Sequence, residues 1–229
     1  MNKINLLFLG VSSFTGYHFV NEISKNESIT IDCTLTKNIK DYESTRLKRI
    51  RLISQKKNVK IISKIKFGHK KFINLLNKKK YNIICLHHAH TKNYNDDNKF
   101  NLKKSINENL PNIEGVFKNI NKKALIVVSN TIFQDIEKKK YMAVNNYGIS
   151  KTIAYEQIKK YCKRYNLRLK SIFITNPWGI LEEKRLNYFL IYNWLQNKEA
   201  FISHPNYIRD NIYINKLSNY YLKMMYSNQ

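Results

Sequence analysis

The sequence predicts an α/β fold: a doubly wound parallel sheet with helices on both faces and a small C-terminal lobe. Three observations predict it. Short apolar runs alternate with longer amphipathic stretches as far as residue 174. A glycine turn follows the first apolar run directly. The alternation then changes character after Asn176. Strand–helix alternation places helices on both faces of a parallel sheet.

Each element follows from its own residues. Residues 4–9 form an apolar run of strand length, and 14–24 the helix after it. Residues 29–35 are a second strand, and 59–62 a third, weaker one. The stretch 70–79 is helical, with Phe72, Ile73, Leu75 and Leu76 on its apolar face. Residues 82–86 are the fourth strand. Residues 103–119 are helical, but Pro111 must start that helix late, kink it or split it. The fifth strand is 124–128, the long helix 147–165, and the sixth strand 168–174. Beyond Asn176, residues 185–196 are helical, 200–203 and 208–214 are short strands, and 215–225 are a closing helix. We expect residues 1–175 to form the main domain and 176–229 a small lobe on the sheet's carboxyl edge. No Pro/Gly/Ser-rich linker separates the two.

The chain has 229 residues, of which 43% are hydrophobic, so it can bury a core. Lys and Arg number 41 against 16 Asp and Glu, a net charge of +25. Such a charge suits polyanionic partners. Here the lysines are spread along the whole chain, and Asn, Ile and Tyr are also abundant, as AT-rich coding supplies. A nucleic-acid partner is therefore not expected. Cys33, Cys85 and Cys162 are scattered and form no C-x-x-C, so neither a disulfide framework nor a zinc site is expected. The first apolar run is too short to span a membrane, so membrane insertion is not expected and the cytoplasm is the expected location.

Gly10-Val11-Ser12-Ser13-Phe14-Thr15-Gly16 ends the first strand and opens the first helix. That is the context of a dinucleotide fingerprint. Gly10 permits the tight turn and Gly16 the close approach of helix and strand. N–H groups at the helix start would hold a pyrophosphate. Ser13 stands where the fingerprint usually has glycine. No acidic residue ends the second strand. Thr36 and Lys37 stand there instead, and a basic residue would suit the 2′-phosphate of NADP. Lys37 reads equally as one more solvated lysine.

Tyr147 and Lys151 lie four residues apart at the head of the long helix, on one face. A free tyrosine titrates near about 10. A neighbouring ammonium would stabilise its phenolate and suit it to proton transfer. Ser129 follows the fifth apolar run, where a hydroxyl faces the ligand crevice of an open α/β sheet. It could bond the oxygen that Tyr147 protonates. A capping serine is the plainer reading.

Taken together, these segments resemble the extended short-chain dehydrogenase/reductases, the Rossmann-like NAD-dependent epimerase/dehydratase and sugar-nucleotide reductase family. Leu7-Phe8-Leu9-Gly10 through Gly16 resembles its nucleotide turn. Leu86-His87-His88-Ala89-His90-Thr91 sits at its Ala-rich turn. Val128-Ser129-Asn130-Thr131-Ile132-Phe133 resembles its "V-S-S-x-x-V-Y" segment. Thr175-Asn176-Pro177-Trp178-Gly179 resembles "R-x-x-N-x-Y-G". Arg209-Asp210-Asn211-Ile212-Tyr213-Ile214 resembles "R-D-F-x-x-V". The resemblance covers nearly the whole chain, and its weight lies in the order of the motifs.

The resemblance implies an NAD or NADP cofactor and a nucleotide-sugar substrate. It makes Ser129, Tyr147 and Lys151 catalytic. It assigns cofactor contacts to Gly10, Ser12, Ser13, Phe14, Thr15, Gly16, Thr36, Lys37, His88, Ala89 and His90, with Tyr147 and Lys151. It assigns substrate contacts to His90, Asn130, Thr131, Asn176 and Arg209. Dehydratases of the family carry Asp-Glu where this chain has Asn130 and Thr131, which argues against sugar 4,6-dehydration. The expected activity is a 4-keto reductase or an epimerase, set in surface polysaccharide biosynthesis. The family also implies a homodimer through the helices before the fifth strand and after Tyr147. His87, His88 and His90 lack accompanying carboxylates or cysteines in a ligand spacing, so no metal is expected. A non-catalytic NAD(P)-binding sensor, scaffold or RNA-contacting protein is the alternative. A degenerate enzyme with a lobe too short to close on substrate is a third reading.

Overall fold

Residues Ile4–Leu9 form a strand, β1, whose last four residues are buried on both faces. Such a strand needs helices above and below it. The computed structural model describes residues 3–134, 143–203, 205–206, 208 and 210–227. In chain order, β1 is followed by α1 (Phe14–Ile23), β2 (Ile29–Thr34), a 3₁₀ turn (Ile39–Asp41), α2 (Ser44–Ser54) and β3 (Val59–Ile62). Then come α3 (Lys70–Lys78), β4 (Ile83–Leu86), α4 (Leu102–Asn109), α5 (Ile113–Lys118) and β5 (Leu125–Thr131). The rest is α6 (Asn146–Arg164), β6 (Arg168–Ile174), β7 (Asn176–Trp178), α7 (Leu186–Leu195), β8 (Asn211–Tyr213) and α8 (Ile214–Tyr226).

Six strands form one parallel sheet in the order β3-β2-β1-β4-β5-β6. The order reverses between β1 and β4, and in an open sheet the ligand crevice lies at the carboxyl ends beside that reversal. Period-2 alternation sends successive side chains to opposite faces. Phe8, Ile31 and Val127 join Phe19 of α1, Ile50 of α2 and Leu217 and Tyr221 of α8 in one core cluster. Leu7, Ile84 and Ile126 join Phe72 of α3, Phe117 of α5 and Ile158 of α6 in the other.

Several elements differ from expectation. Helix α2 was not anticipated, because its sequence is rich in Lys and Arg and buries only Arg49, Ile50 and Ile53. So narrow an apolar face gives no periodic signal. Pro111 splits the expected 103–119 helix into α4 and α5, with Asn112 left-handed at φ 50° between them. Strand β5 runs on through Ser129, Asn130 and Thr131, which pair with Ile172, Phe173 and Ile174 of β6. Residues 200–203 are not a strand, and the expected strand 208–214 shortens to β8, which pairs in parallel with β7. Helix α8 packs against α1 and β6. Helix α7 has no buried residue, and Tyr192, Trp194 and Leu195 are more than half exposed.

Candidate active site

The carboxyl ends of β1, β2, β4, β5 and β6 open into a cleft of about 930 Å³. Its floor begins at the turn after β1. Gly10 has φ +93°, and a Cβ there would stand 2.7 Å from the His87 carbonyl, so only glycine fits. Ser13 caps α1: its hydroxyl donates to the Gly10 carbonyl at 2.8 Å and accepts the Gly16 N–H at 3.1 Å. Ser12, Ser13, Phe14 and Thr15 line the cleft. Gly16 does not line it. Gly16 lies behind, where a Cβ would meet the Gly10 carbonyl at 2.3 Å. Its contribution is the close helix–strand approach.

Thr36 and Lys37 stand on the rim, joined by Arg46 of α2 and by the acidic Asp41 and Glu43. Arg46 was missed because α2 was missed. The mixed charge there fits either an adenine-ribose hydroxyl or a 2′-phosphate.

Tyr147 and Lys151 enter from the first turns of α6. Asn145 caps that helix, accepting the Gly148 N–H at 2.9 Å, and donates from Nδ2 to the Tyr94 carbonyl. Tyr94, Phe100 and Phe133 pack edge-on around the Tyr147 ring. Burial, with Tyr94 adding to it, pushes the Tyr147 phenol up to about 12. Lys151 is buried, and its ammonium donates to the Ser129 carbonyl at 2.7 Å. Burial pushes Lys151 down to about 8. The expected relation, an ammonium lowering the phenol, is therefore not the one the free chain displays. Desolvation governs both groups, and it penalises the charged form of each.

Ser129 and Asn130 face opposite sides of the sheet. The Ser129 hydroxyl meets His87 Nδ1 at 2.7 Å. Asn130 is buried on the α6 side beside Lys151 and His88, around a cavity of about 10 Å³. Neither end of its amide, nor His88 Nδ1, has a hydrogen-bond partner among the described residues. Such atoms ordinarily meet water or ligand. Thr131 and Asn176 also line the cleft. Arg209, expected to hold the substrate's phosphate, lies outside the described residues.

The three histidines after β4 have separate surroundings. His87 reaches Thr15 Oγ1 at 2.9 Å and Ser13 Oγ at 3.2 Å through Nε2, and burial drives it down to about 3. His88 stacks on Phe67, bonds the Asn109 carbonyl at 2.9 Å, and is pushed down to about 4, mainly by burial. His88 and Ala89 line the cleft. His90 does not, contrary to expectation. Its ring bonds Glu108 at 2.7 Å and packs against Phe100, while its N–H is held by Asn109. Helix α4 supplies both partners and draws the residue away. Among the described residues, no group of three or more His, Cys, Asp or Glu is placed to hold a metal.

Sequence reasoning also missed Arg49 and Glu183. Arg49 is fully buried and donates to the Ser12 carbonyl, the Leu181 carbonyl and the Glu183 carboxylate. Glu183 lines the cleft. Burial alone would raise its carboxyl, but the Arg49 bond and charge outweigh burial and lower it.

No family model and no curated protein matches the chain. Solved structures do. The chain is similar to UDP-glucuronic acid 4-epimerase from Bacillus cereus, in complex with UDP-glucuronic acid and NAD, with a TM-score of 0.78 at 13% identity. That match covers 99% of this chain and 74% of the other. UDP-glucose 4-epimerase from Thermotoga maritima, with UDP-glucose, gives 0.72 at 13% identity, over 97% and 74%. dTDP-glucose 4,6-dehydratase from Bacillus anthracis, in complex with NAD, gives 0.74 at 15% identity, over 99% and 73%. At these identities the likeness is one of fold. The fold is a Rossmann-like α/β fold shared with these structures, as the sequence predicted.

Proposed function

We propose that the chain is an NAD(P)-dependent enzyme acting on a nucleotide-linked sugar, as a 4-epimerase or a 4-keto reductase, in surface polysaccharide biosynthesis. One observation carries the reading. Ser129, Tyr147 and Lys151 share a single cleft with the Gly10 turn and the start of α1. The positive end of that helix suits a pyrophosphate, and the bare Gly10 backbone lets it approach. The cofactor would lie across the carboxyl ends of β1 and β4, with its nicotinamide toward Tyr147. When bound, the nicotinamide would supply or accept the hydride.

The chain's own residues would do the rest. Tyr147 would give or take the proton at the sugar hydroxyl. Lys151, released from the Ser129 carbonyl or shared with it, would stabilise the phenolate and bind a ribose hydroxyl. Ser129 would donate a hydrogen bond to the reacting oxygen. Thr131 and Asn176 would bind polar groups of the substrate, and the buried Asn130 amide would hold a water beside Lys151 instead. Residues 176–229 would form the substrate lobe, and two copies would pair through α4 and α6. Asn130 and Thr131 replace the acidic pair that dehydration would use, so that step is left out.

A thermal-shift panel of NAD(H), NADP(H) and UDP-, GDP- and dTDP-sugars tests the reading, because ligands of the folded state raise its apparent stability. The expected result is stabilisation by one nicotinamide cofactor and one class of nucleotide sugar. Tyr147→Phe should keep that binding and lose turnover. Full turnover in Tyr147→Phe would sink the mechanism. A non-catalytic cofactor-binding role has one observation in its favour: the Lys151 ammonium is engaged by the Ser129 carbonyl at 2.7 Å. Cofactor binding without turnover of any nucleotide sugar would favour that second reading.

A further inference from the structure

His87 stands at the junction of two parts of the cleft. Leu86 pairs with Val128 in the β4–β5 ladder, so the next residues along, His87 and Ser129, are neighbours on one face. The imidazole spans from Ser129 Oγ, 2.7 Å from Nδ1, to Thr15 Oγ1, 2.9 Å from Nε2. Ser13 Oγ is farther, at 3.2 Å, and its own proton is committed to the Gly10 carbonyl. Phe8 and Phe19 close over the ring. Tyr221 lies beside Ser129 from α8.

We propose that His87 is a positioning residue that ties the hydroxyl of Thr15, in the nucleotide turn, to Ser129 and sets which way the Ser129 proton points. The proposal rests on the reading of Ser129 as a donor to the substrate oxygen. A ring enclosed by apolar groups is neutral, and a neutral imidazole has one donor and one acceptor. If Nδ1 carries the proton, it donates to Ser129 Oγ, and the Ser129 proton is free to point into the cleft. Nε2 then accepts from Thr15, and its lone pair faces the positive end of α1. In the other tautomer, Ser129 spends its proton on His87 and has none for a substrate oxygen. No covalent bond changes. The ring only fixes the direction of two hydrogen bonds, and it makes the state of the turn felt at Ser129.

The tautomer is measurable in the free protein. Long-range proton–nitrogen correlation spectra of ¹⁵N-histidine-labelled protein distinguish a protonated Nδ1 from a protonated Nε2. The expected result for His87 is a protonated Nδ1 and a bare Nε2. Ser129→Ala should shift the Nδ1 signal, and Thr15→Val the Nε2 signal. A protonated Nε2, or signals indifferent to both changes, overturns the proposal. A second measurement compares the unfolding midpoints of Thr15→Val, Ser129→Ala and their double variant, with and without His87→Asn. Asn can reach Ser129 but spans to neither hydroxyl of the turn. With His87 present the two shifts should be non-additive, and with Asn in its place they should add. Additivity with His87 present also overturns the proposal. Neither measurement uses turnover, so retained activity in Tyr147→Phe would sink the enzymatic reading separately.

Discussion

Arg49 and Glu183 form an ion pair in which the arginine is fully buried and the glutamate is 40% exposed. The same guanidinium holds the Ser12 carbonyl at 3.0 Å and the Leu181 carbonyl at 2.9 Å. One side chain from α2 thus clamps the turn after β1 to the segment after β7. Arg49→Met removes every donor of the clamp at once. Glu183, one oxygen of which is buried without a hydrogen-bond partner among the described residues, also loses its counter-charge. The two carbonyls lose charged donors, and the expected cost is about 2–3 kcal/mol, read from urea unfolding. Amide exchange should quicken at residues 180–183 before the sheet opens. Unchanged exchange there would mean that the clamp is idle.

Lys151 makes stability depend on pH in a defined window. Its ammonium titrates near about 8 in the folded chain and near about 10.4 when unfolded. Between those values the unfolded chain holds a proton that the folded chain has released. Stability from this group therefore rises with pH from about 8 to about 10, and falls as pH drops through that window. The three buried cysteines oppose it, since burial raises their thiols. The test is accordingly the difference between wild type and Lys151→Met. The urea midpoint of Lys151→Met should gain most at about pH 7.5 and converge on wild type near about pH 10.

Asp32 is buried in β2 and receives the Tyr81 hydroxyl at 2.6 Å and the Lys79 ammonium at 2.8 Å. Burial, with Asp32 adding to it, raises the Tyr81 phenol far above its usual range. Tyr81→Phe leaves the carboxylate short of a donor in a buried place. A loss of about 1–3 kcal/mol is expected. Tyr81→Phe combined with Lys79→Met should cost more than the two single changes summed, because the buried carboxylate then has neither donor.

Gly16→Ala tests the seat of the turn after β1 and the cofactor site proposed there. Its methyl would stand 2.3 Å from the Gly10 carbonyl and 2.7 Å from Ser13 Oγ. The neighbour that must yield is backbone, so α1 has to move off β1. We expect about 1–3 kcal/mol of destabilisation, together with loss of NAD or NADP from the thermal-shift response. A variant that kept both would show that the turn has slack.

The sheet was legible because its central strands β1, β4 and β5 begin as short apolar runs, largely buried on both faces, with helices between them. The turn at Gly10 and the head of α6 were legible because they are local in sequence. What stayed hidden depends on contacts between distant segments. Arg49 looks like any surface lysine or arginine until α2 carries it under the turn. His90 looks like a pocket residue until Glu108 and Asn109 of α4 draw it aside. His87 could have been placed from the pairing register alone, since the residue after β4 must neighbour Ser129. The polar letters of Ser129-Asn130-Thr131 hid three residues of β5, because their surroundings are polar contacts rather than oil.

Helix α7 has practical weight for anyone who handles the protein. It presents Phe189, Tyr192, Trp194 and Leu195 to water on a chain with a net charge of +25. In dilute buffer that charge opposes contact between α7 faces. At about 1 M salt the repulsion reaches only about 3 Å, too short to prevent apolar faces from meeting. High-salt purification steps are therefore where this chain should cloud, and low-salt storage is where it should stay clear.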